Sequence, residues 1–418
     1  MIGPLLRLAW RNLWHNPGRT LIAMAAIGFG YAMLLFVACL MAGLRQQMIE
    51  SGTDLGLSDI EVHAPDYYPD RPIQRTLGGR NGTDVSALVA AIAADPRVQA
   101  ASPRVYSYGL VSATHQSAGV QLLGVVPEQE QKITVLQTRM VKGSYLDRRM
   151  PKNVVMGDKL ATMIGVEIGS EIVLLTQAAD GSTGNDLYTV AGLFHTGLDA
   201  MDRGLVLMPL ASLQELLRLP PGRIHEVGIK LHDIIAATTA AAALDVQLSR
   251  ILPVRVRPWP ELAPELDDYV QFNGRVTFIL FFIFFLLAAM GIVNTMLMAV
   301  IERTRELGML MAVGMRPVQV VGLIVAEAVA LAAASLILGG ALGFPLLWYL
   351  QVHGLNLGGD GGAVSVAGIV VGPFWYGRQD FTAYAQAALG LAITALASAL
   401  YPAVRAARFR PAEALRKV

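Results

Sequence analysis

Four long apolar stretches punctuate the chain. Thr20–Leu44 carries no charge until Arg45. As a helix it would be roughly 37 Å long, more than the ~30 Å hydrocarbon core of a bilayer. Val276–Ile301 is also uncharged, with Asn294 its strongest polar group. The third stretch, Pro317–Leu350, contains one charge, Glu327, and the fourth, Phe381–Val404, contains none. A soluble domain can bury one such helix, but four predict membrane spans. The first could be mistaken for a signal peptide. Its apolar run is too long and lacks a small-residue cleavage site, so it reads as an uncleaved anchor.

Between the first two spans the pattern changes to short alternating runs. Ser58–Ala64, Arg97–Ala113, Val120–Val126, His225–Leu231 and Val254–Trp259 read as strands. Asp84–Ala94, Leu213–Leu217 and Ile234–Ile251 read as helices, and Asp180–Asn185 as a hairpin turn. Helix-then-strand units at both ends enclose a β-rich middle. This predicts a mixed α/β domain over 45–275 with two subdomains, one discontinuous (45–122 and 223–270) and one inserted (123–222). Residues 1–18 place Leu5, Leu6, Ala9, Trp10, Leu13 and Trp14 on one stripe, as expected of a helix lying in a membrane interface.

Composition agrees with a membrane protein. Of 418 residues, 54% are hydrophobic and 16% charged, against about 25% charged in an average soluble chain. The net charge of +1 gives no support for nucleic-acid binding. Cys39 is the single cysteine, which excludes an intrachain disulfide and a multi-thiolate zinc site. The basic residues fall in three groups: Arg7, Arg11 and Arg19 before the first span; Arg303, Arg305 and Arg316 between the second and third; Arg405, Arg408, Arg410, Arg416 and Lys417 after the fourth. With four crossings all three lie on one side, and the positive-inside rule makes it cytoplasmic. Both termini are then inside. The α/β domain and a Gly-rich loop (351–380) are outside.

No phosphate-binding loop is present, and the dipeptide Gly-Lys occurs nowhere. HExxH and GxSxG are also absent. The seven histidines (15, 63, 115, 195, 225, 232 and 353) form no ligand-spaced pair, so neither a catalytic residue nor a metal site is expected. Asn81-Gly82-Thr83 fits a glycosylation sequon, a match common by chance. Gly358–Gly362 lacks a following basic helix and reads as a turn. The informative stretch is Glu302–Pro317, ERTRELGMLMAVGMRP. It predicts a short helix with Leu307, Leu310 and Met311 on one face. Gly314 is placed to end it, and Pro317 suits the first turn of the next span. Apolar Met309, Leu310 and Met311 outside the bilayer imply a partner surface.

The stretch ERTRELGMLMAVGMRPVQV resembles the ERTREIGILRAIGA sequence of MacB/FtsX-type (type VII) ABC transporter permeases. LRLAWRNLWHNPGRTLIAMAAIGFGYAMLL and YPAVRAARFRPAEALRKV are similar to the two ends of the lipoprotein-releasing, LolC/LolE-like branch. So are DIEVHAP, VVMGDKLATMIGVEIGSEIVLL and DRGLVLMPL between them. The resemblance implies an α-helical membrane domain of four transmembrane helices (20–44, 276–301, 317–350 and 381–404). It also implies a periplasmic domain with Porter-like (45–122, 223–270) and Sabre-like (123–222) subdomains, and a cytoplasmic tail (405–418). The chain would be a non-catalytic, multi-pass subunit of a bacterial inner membrane, paired with itself or a paralogue. A separate ATPase subunit would hold ATP and Mg. Residues 302–316 would form the coupling helix, with Glu302, Arg303, Arg305, Glu306, Leu307, Leu310, Met311 and Gly314 serving the ATPase groove. Motion would pass to the periplasmic domain by mechanotransmission, extracting lipoprotein and passing it to a periplasmic chaperone.

On that reading Met33, Phe36 and Met41 of the first span, with Phe278, Phe281, Phe282 and Phe285 of the second, are candidates for acyl-chain contact. Lipid-facing or packing roles are the alternative at each position. Glu327 reads as a helix–helix contact near the inner interface, with a proton or gating site as the alternative. Gly339, Gly340 and Gly343 read as packing positions, within the chain or across a permease dimer. Competing functions are a MacB-like exporter of peptides or small molecules and an FtsX-like regulator of a cell-wall hydrolase. The large outside domain argues against the second.

Overall fold

A computed structural model describes residues 10–12, 14, 17–78, 84–113, 116–250, 252–356, 364–366, 369–371 and 374–408. Most of the 1–18 stripe, the sequon at 81–83, the 358–362 turn and the tail beyond 408 lie outside these residues. The chain divides into two compact units.

The first unit draws on residues 1–45, 271–362 and 373–418. Its helices belong to Pro17–Asp54 (span one), Pro264–Glu302 (span two), Pro317–His353 (span three) and Phe381–Ala407 (span four). All four are long and apolar enough to cross a membrane. Span one passes the predicted end at Leu44 because Arg45–Ser51 contains neither Gly nor Pro to stop it. Span two starts earlier than Val276, at Pro264, a residue preset for a first helical turn, with Glu265 and Asp267 at the positive end of the helix dipole.

Leu34, Leu35 and Cys39 of span one, Leu331 and Leu347 of span three and Leu391 and Ala399 of span four form the buried centre. Span two contributes buried Ile292 and Met296 to that centre, with half-buried Phe281, Phe284, Phe285 and Ala288 packed against it. Its Phe278, Phe282, Leu286, Leu287 and Met290 remain exposed. Glycines set the contact between spans one and three. A Cβ on Gly28 would lie 3.1 Å from the Ser335 carbonyl oxygen, and one on Gly343 would lie 3.0 Å from Leu35. Gly339 and Gly343 thus serve packing within the chain.

The second unit draws on residues 46–270 and 363–372. Its main sheet contains β1 (Ile60–His63), β2 (Val98–Ser112), β3 (Ser117–Val125), β4 (Met140–Gly143), β5 (Asn153–Gly157), β6 (Glu171–Gln177), β7 (Thr183–Phe194), β8 (Leu205–Pro209), β9 (Glu226–Leu231) and β10 (Arg255–Pro258). Their order is β10-β1-β9-β2-β3-β8-β5-β7-β4, with β6 pairing β2 and β7. The strands from the two ends of the segment therefore lie side by side, and the middle strands extend the sheet beyond them. β2 joins both groups, pairing β9 through Val98–Arg104 and β3 through Arg104–Ser112.

Local signals explain the elements. Asp84 caps the helix Val85–Ala93 by accepting from the Ser86 amide at 2.8 Å. The predicted hairpin joins β6 to β7, with Asp180 accepting from the Ser182 amide and Gly181 at positive φ. The helix Asp158–Ile164, not foreseen from the alternating pattern, ends on left-handed Gly165. Val62, Val105, Leu122, Val154, Met156, Val206 and Ile229 alternate into the core.

Candidate functional site

The chemistry-bearing groups of the first unit gather at two places. One is the short helix Thr304–Ala312 between spans two and three. Leu307 of this helix is only 2% exposed and packs with Val300, Val320, Ile324, Ala403 and Ala406, the adjoining ends of spans two, three and four. Met311 packs against the same cluster. Met309, Leu310 and Val313 face outward, with Val313 89% exposed. The single face predicted for Leu307, Leu310 and Met311 is therefore divided. Leu307 anchors the helix inward because the span ends form an apolar seat for it, and Leu310 belongs to the outer ridge. Gly314, at positive φ, closes the helix, and Glu302 and Arg305 are exposed.

Arg303 occupies the N-cap of the short helix. Its Nε donates to Glu306 at 2.9 Å and its Nη1 to Oε1 of Glu327 at 2.9 Å. The same Glu327 oxygen accepts from Asn12 Nδ2 at 2.7 Å. Glu327, 6% exposed, is thus a helix-to-helix contact with two named donors. Asn12 gave no signal in the sequence, because nothing in its neighbourhood indicates a partner on span three.

The other place is a cavity of about 250 Å³. Span one contributes Ala38, Met41, Ala42 and Arg45; span two Asn273, Thr277, Phe278 and Phe281; and span four Ala383 and Gln386, with Asp380 at its start. The cavity collects Met41, Phe278 and Phe281 from the predicted set. Met33, Phe36, Phe282 and Phe285 lie elsewhere. Phe285 packs edge-to-face on Phe281 and lies against Gly390, Phe36 packs on the buried centre, and Phe282 is exposed. Arg45 and Asp380, 3.8 Å apart, give the cavity a charged element that hydropathy reading passed over. Both flank predicted spans, and that was the available signal.

The second unit buries a cluster of charged side chains that form ion pairs. Arg104 is fully buried and donates to Glu130 through Nη2 (2.6 Å) and Nε (3.2 Å), and to Ser58 through Nη1 (2.8 Å). Glu226 lies 3.9 Å from Arg104, and Glu61 lies 3.7 Å from Arg71. Burial, with the Glu226 charge adding to it, pushes the Glu61 carboxyl up to about 7. His225 accepts from the Tyr106 amide at 2.8 Å, bonds the Ile73 carbonyl at 2.9 Å and stacks on Tyr67. Burial pushes this histidine and His63 down. Both are interior groups, whereas spacing alone left them as isolated strand residues.

Asp158, His195 and Asp202 form the one group with metal-ligand proximity among the described residues. His195 Nδ1 lies 3.0 Å from Asp158, an ordinary hydrogen bond. Asp202 accepts from Thr196 N and Oγ1 and from Gly197 N, so it closes the loop before its own helix.

Comparison with known proteins agrees with this arrangement. Residues 20–246 match the family model of the MacB-like periplasmic core domain, and residues 278–411 that of the FtsX-like permease C-terminal region. The chain is 27% identical over 413 residues to the lipoprotein-releasing system transmembrane protein LolC of Xylella fastidiosa, covering 95% of this chain and 93% of that one. It is 25% identical over 411 residues to LolC of Neisseria meningitidis, covering 95% and 94%. It is 25% identical over 352 residues to the macrolide export ATP-binding/permease protein MacB of Escherichia coli, covering 82% of this chain and 51% of that protein. With a MacB-like core domain over more than half its length and an FtsX-like region after it, the chain belongs to the family of MacB/FtsX-type ABC transporter permeases.

Proposed function

We propose that this permease couples ATP hydrolysis in a separate ATPase subunit to movement of its α/β domain, and that the work done is extraction of lipoproteins from a bacterial inner membrane. The termini and the short helix Thr304–Ala312 face the cytoplasm, and the Porter-like and Sabre-like subdomains face the periplasm. The carrying observation is the two-sided short helix. Leu307 is seated among the span ends while Met309, Leu310 and Val313 form an outward apolar ridge. A helix built this way passes a push on its outer face into the spans beneath it. The bare face of span two is available to lipid or to a second permease chain, identical or paralogous.

Lipoprotein as cargo is supported by similarity to two LolC proteins along nearly their whole length. The small cavity with Met41, Phe278 and Phe281 suits part of an acyl chain, and flexible Met and broad Phe surfaces fit such groups. Similarity to MacB favours a second reading, export of peptides or small molecules. A photoreactive acyl lipoprotein added to the full complex distinguishes the two. Crosslinks to Met41 or Phe281 support extraction, and their absence while ATP is turned over favours export. For coupling, Leu310→Asp is expected to stop cargo release without altering the fold of the α/β domain. Release at the normal rate in that variant would overturn the coupling role.

A further inference from the structure

We propose that Glu327 is a positioning residue, a clasp that fixes the short helix Thr304–Ala312 and the segment containing Asn12 to span three. The inference rests on the coupling reading for what the clasp transmits, but the clasp itself is a matter of geometry. One buried carboxylate oxygen accepts from Arg303 Nη1 at 2.9 Å and from Asn12 Nδ2 at 2.7 Å. The two donors lie on different segments of the chain, and neither is on span three.

Arg303 is well placed for this task. Its amide bonds the Ala299 carbonyl, continuing span two, and its carbonyl accepts from the Leu307 amide, opening the short helix. Its guanidinium is divided between Glu306 within the short helix and Glu327 on span three. A planar guanidinium can hold two carboxylates in fixed directions, which an ammonium cannot. The contact lies beside the apolar seat of Val300, Leu307, Val320 and Ile324. An apolar seat resists separation but is non-directional, so the helix could turn on it. The Arg303–Glu327 bond supplies the missing direction. It sets the orientation of the outer ridge of Met309, Leu310 and Val313 relative to span three.

Asn12 adds a consequence. The amino-terminal segment is a third body on the same oxygen, so displacement of the short helix is felt there as well as in span three. Glu327→Gln keeps the shape and one acceptor oxygen but removes the charge, so it weakens the Arg303 contact with little change in packing.

The test uses the full chain in lipid nanodiscs, with spin labels at positions 313 and 337, both exposed in the native chain. The distance between them reports how the short helix is held relative to span three. The unmodified clasp is expected to give one narrow distance distribution. Arg303→Ala and Glu327→Gln are expected to broaden it at least twofold, and Arg303→Lys, which keeps the charge but not the planar fork, to leave it broader than in the native chain. Distributions unchanged in both Arg303→Ala and Glu327→Gln would overturn the clasp, because the apolar seat alone would then hold the helix. A distribution as narrow in Arg303→Lys as in the native chain would overturn the directional role given to the guanidinium. Adding the ATPase subunit separates this result from the coupling reading. If Leu310→Asp leaves ATP-driven cargo release intact, coupling fails whether or not the clasp stands. If Leu310→Asp stops release but Arg303→Ala and Glu327→Gln both leave the distances narrow, only the clasp fails.

Discussion

At the scale of single residues, buried charge decides most of what can be tested. Arg104 is the anchor of a buried network, donating to Glu130 and Ser58 with Glu226 nearby. Arg104→Ala leaves Glu130 and Glu226 without their cation in the interior. Breaking one partner of such a buried pair costs about 3–5 kcal/mol. The expected outcome is a denaturation midpoint for the α/β domain well below that of the unmodified chain, read by chemical unfolding. Glu61 has a pH signature. Its carboxyl titrates at about 7 in the folded protein against an ordinary 4.5. Between those values the folded chain keeps a proton that the unfolded chain has released, so its contribution to stability falls as pH rises through that window. It is fully present below 4.5 and lost above 7. Glu61→Gln is expected to flatten the stability profile between pH 5 and 7 and to leave the variant relatively more stable at pH 8, as thermal unfolding across buffers would show. None of this pairing was legible in the sequence. Alternation marked Ser58–Ala64 and His225–Leu231 as strands, but the meeting of Glu61 with Glu226 depends on β1 lying beside β9. Arg303 and Glu327 were each visible as charges, and their partnership depends on how two helices pack.

Elements were far more legible, for a physical reason. A bilayer demands length and hydropathy from every span, and that demand is written in consecutive residues. Helix ends were less visible because the hydrocarbon stops where charge begins, whereas a helix stops only where its backbone is broken. Span one therefore runs through Arg45 and Glu50 to Asp54. The short helix at Thr304–Ala312 was legible as an element, but its inward face was not, since Leu307 and Leu310 are both leucines three positions apart. The seat separates them. Leu307→Asp puts a charge among Val300, Val320 and Ile324, and is expected to lower the yield and thermal stability of the whole chain. At Leu310 the same change meets water and is expected to leave both near normal. Glycine spacing in span three had the right meaning, with its partner in span one. Gly339→Leu pushes on Gly28 and Tyr31, and overpacking of this kind costs about 1–3 kcal/mol. A lowered melting temperature of the purified chain would register it.

For the whole molecule, the sides of the membrane taken by the short helix and by the α/β domain are testable, and the single cysteine gives a clean background for the test. That cysteine, Cys39, is buried at 0% exposure among spans one, three and four, so it reacts with an aqueous thiol reagent far more slowly than an exposed thiol. A cysteine introduced at an exposed position is then the dominant reporter. Val313, beyond the short helix, and Val246, on a helix of the α/β domain, are both exposed. Arg303, Arg305 and Arg316 near the first position favour the cytoplasmic side, because translocating basic residues against the membrane potential is unfavourable. The expected outcome in intact cells, with the outer barrier opened, is that a membrane-impermeant maleimide labels Val246→Cys and spares Val313→Cys. Both label once the inner membrane is breached. The reverse pattern would place the Leu310 ridge outside the cytoplasm, out of reach of any ATPase that draws on cellular ATP. Labelling of both before the breach would mean that an even number of crossings separates the two positions, so that span two does not cross the membrane between them. Either result would remove the physical basis for coupling through the short helix. The expected pattern would put its apolar ridge in the compartment where ATP is available, and the α/β domain on the opposite side of the membrane.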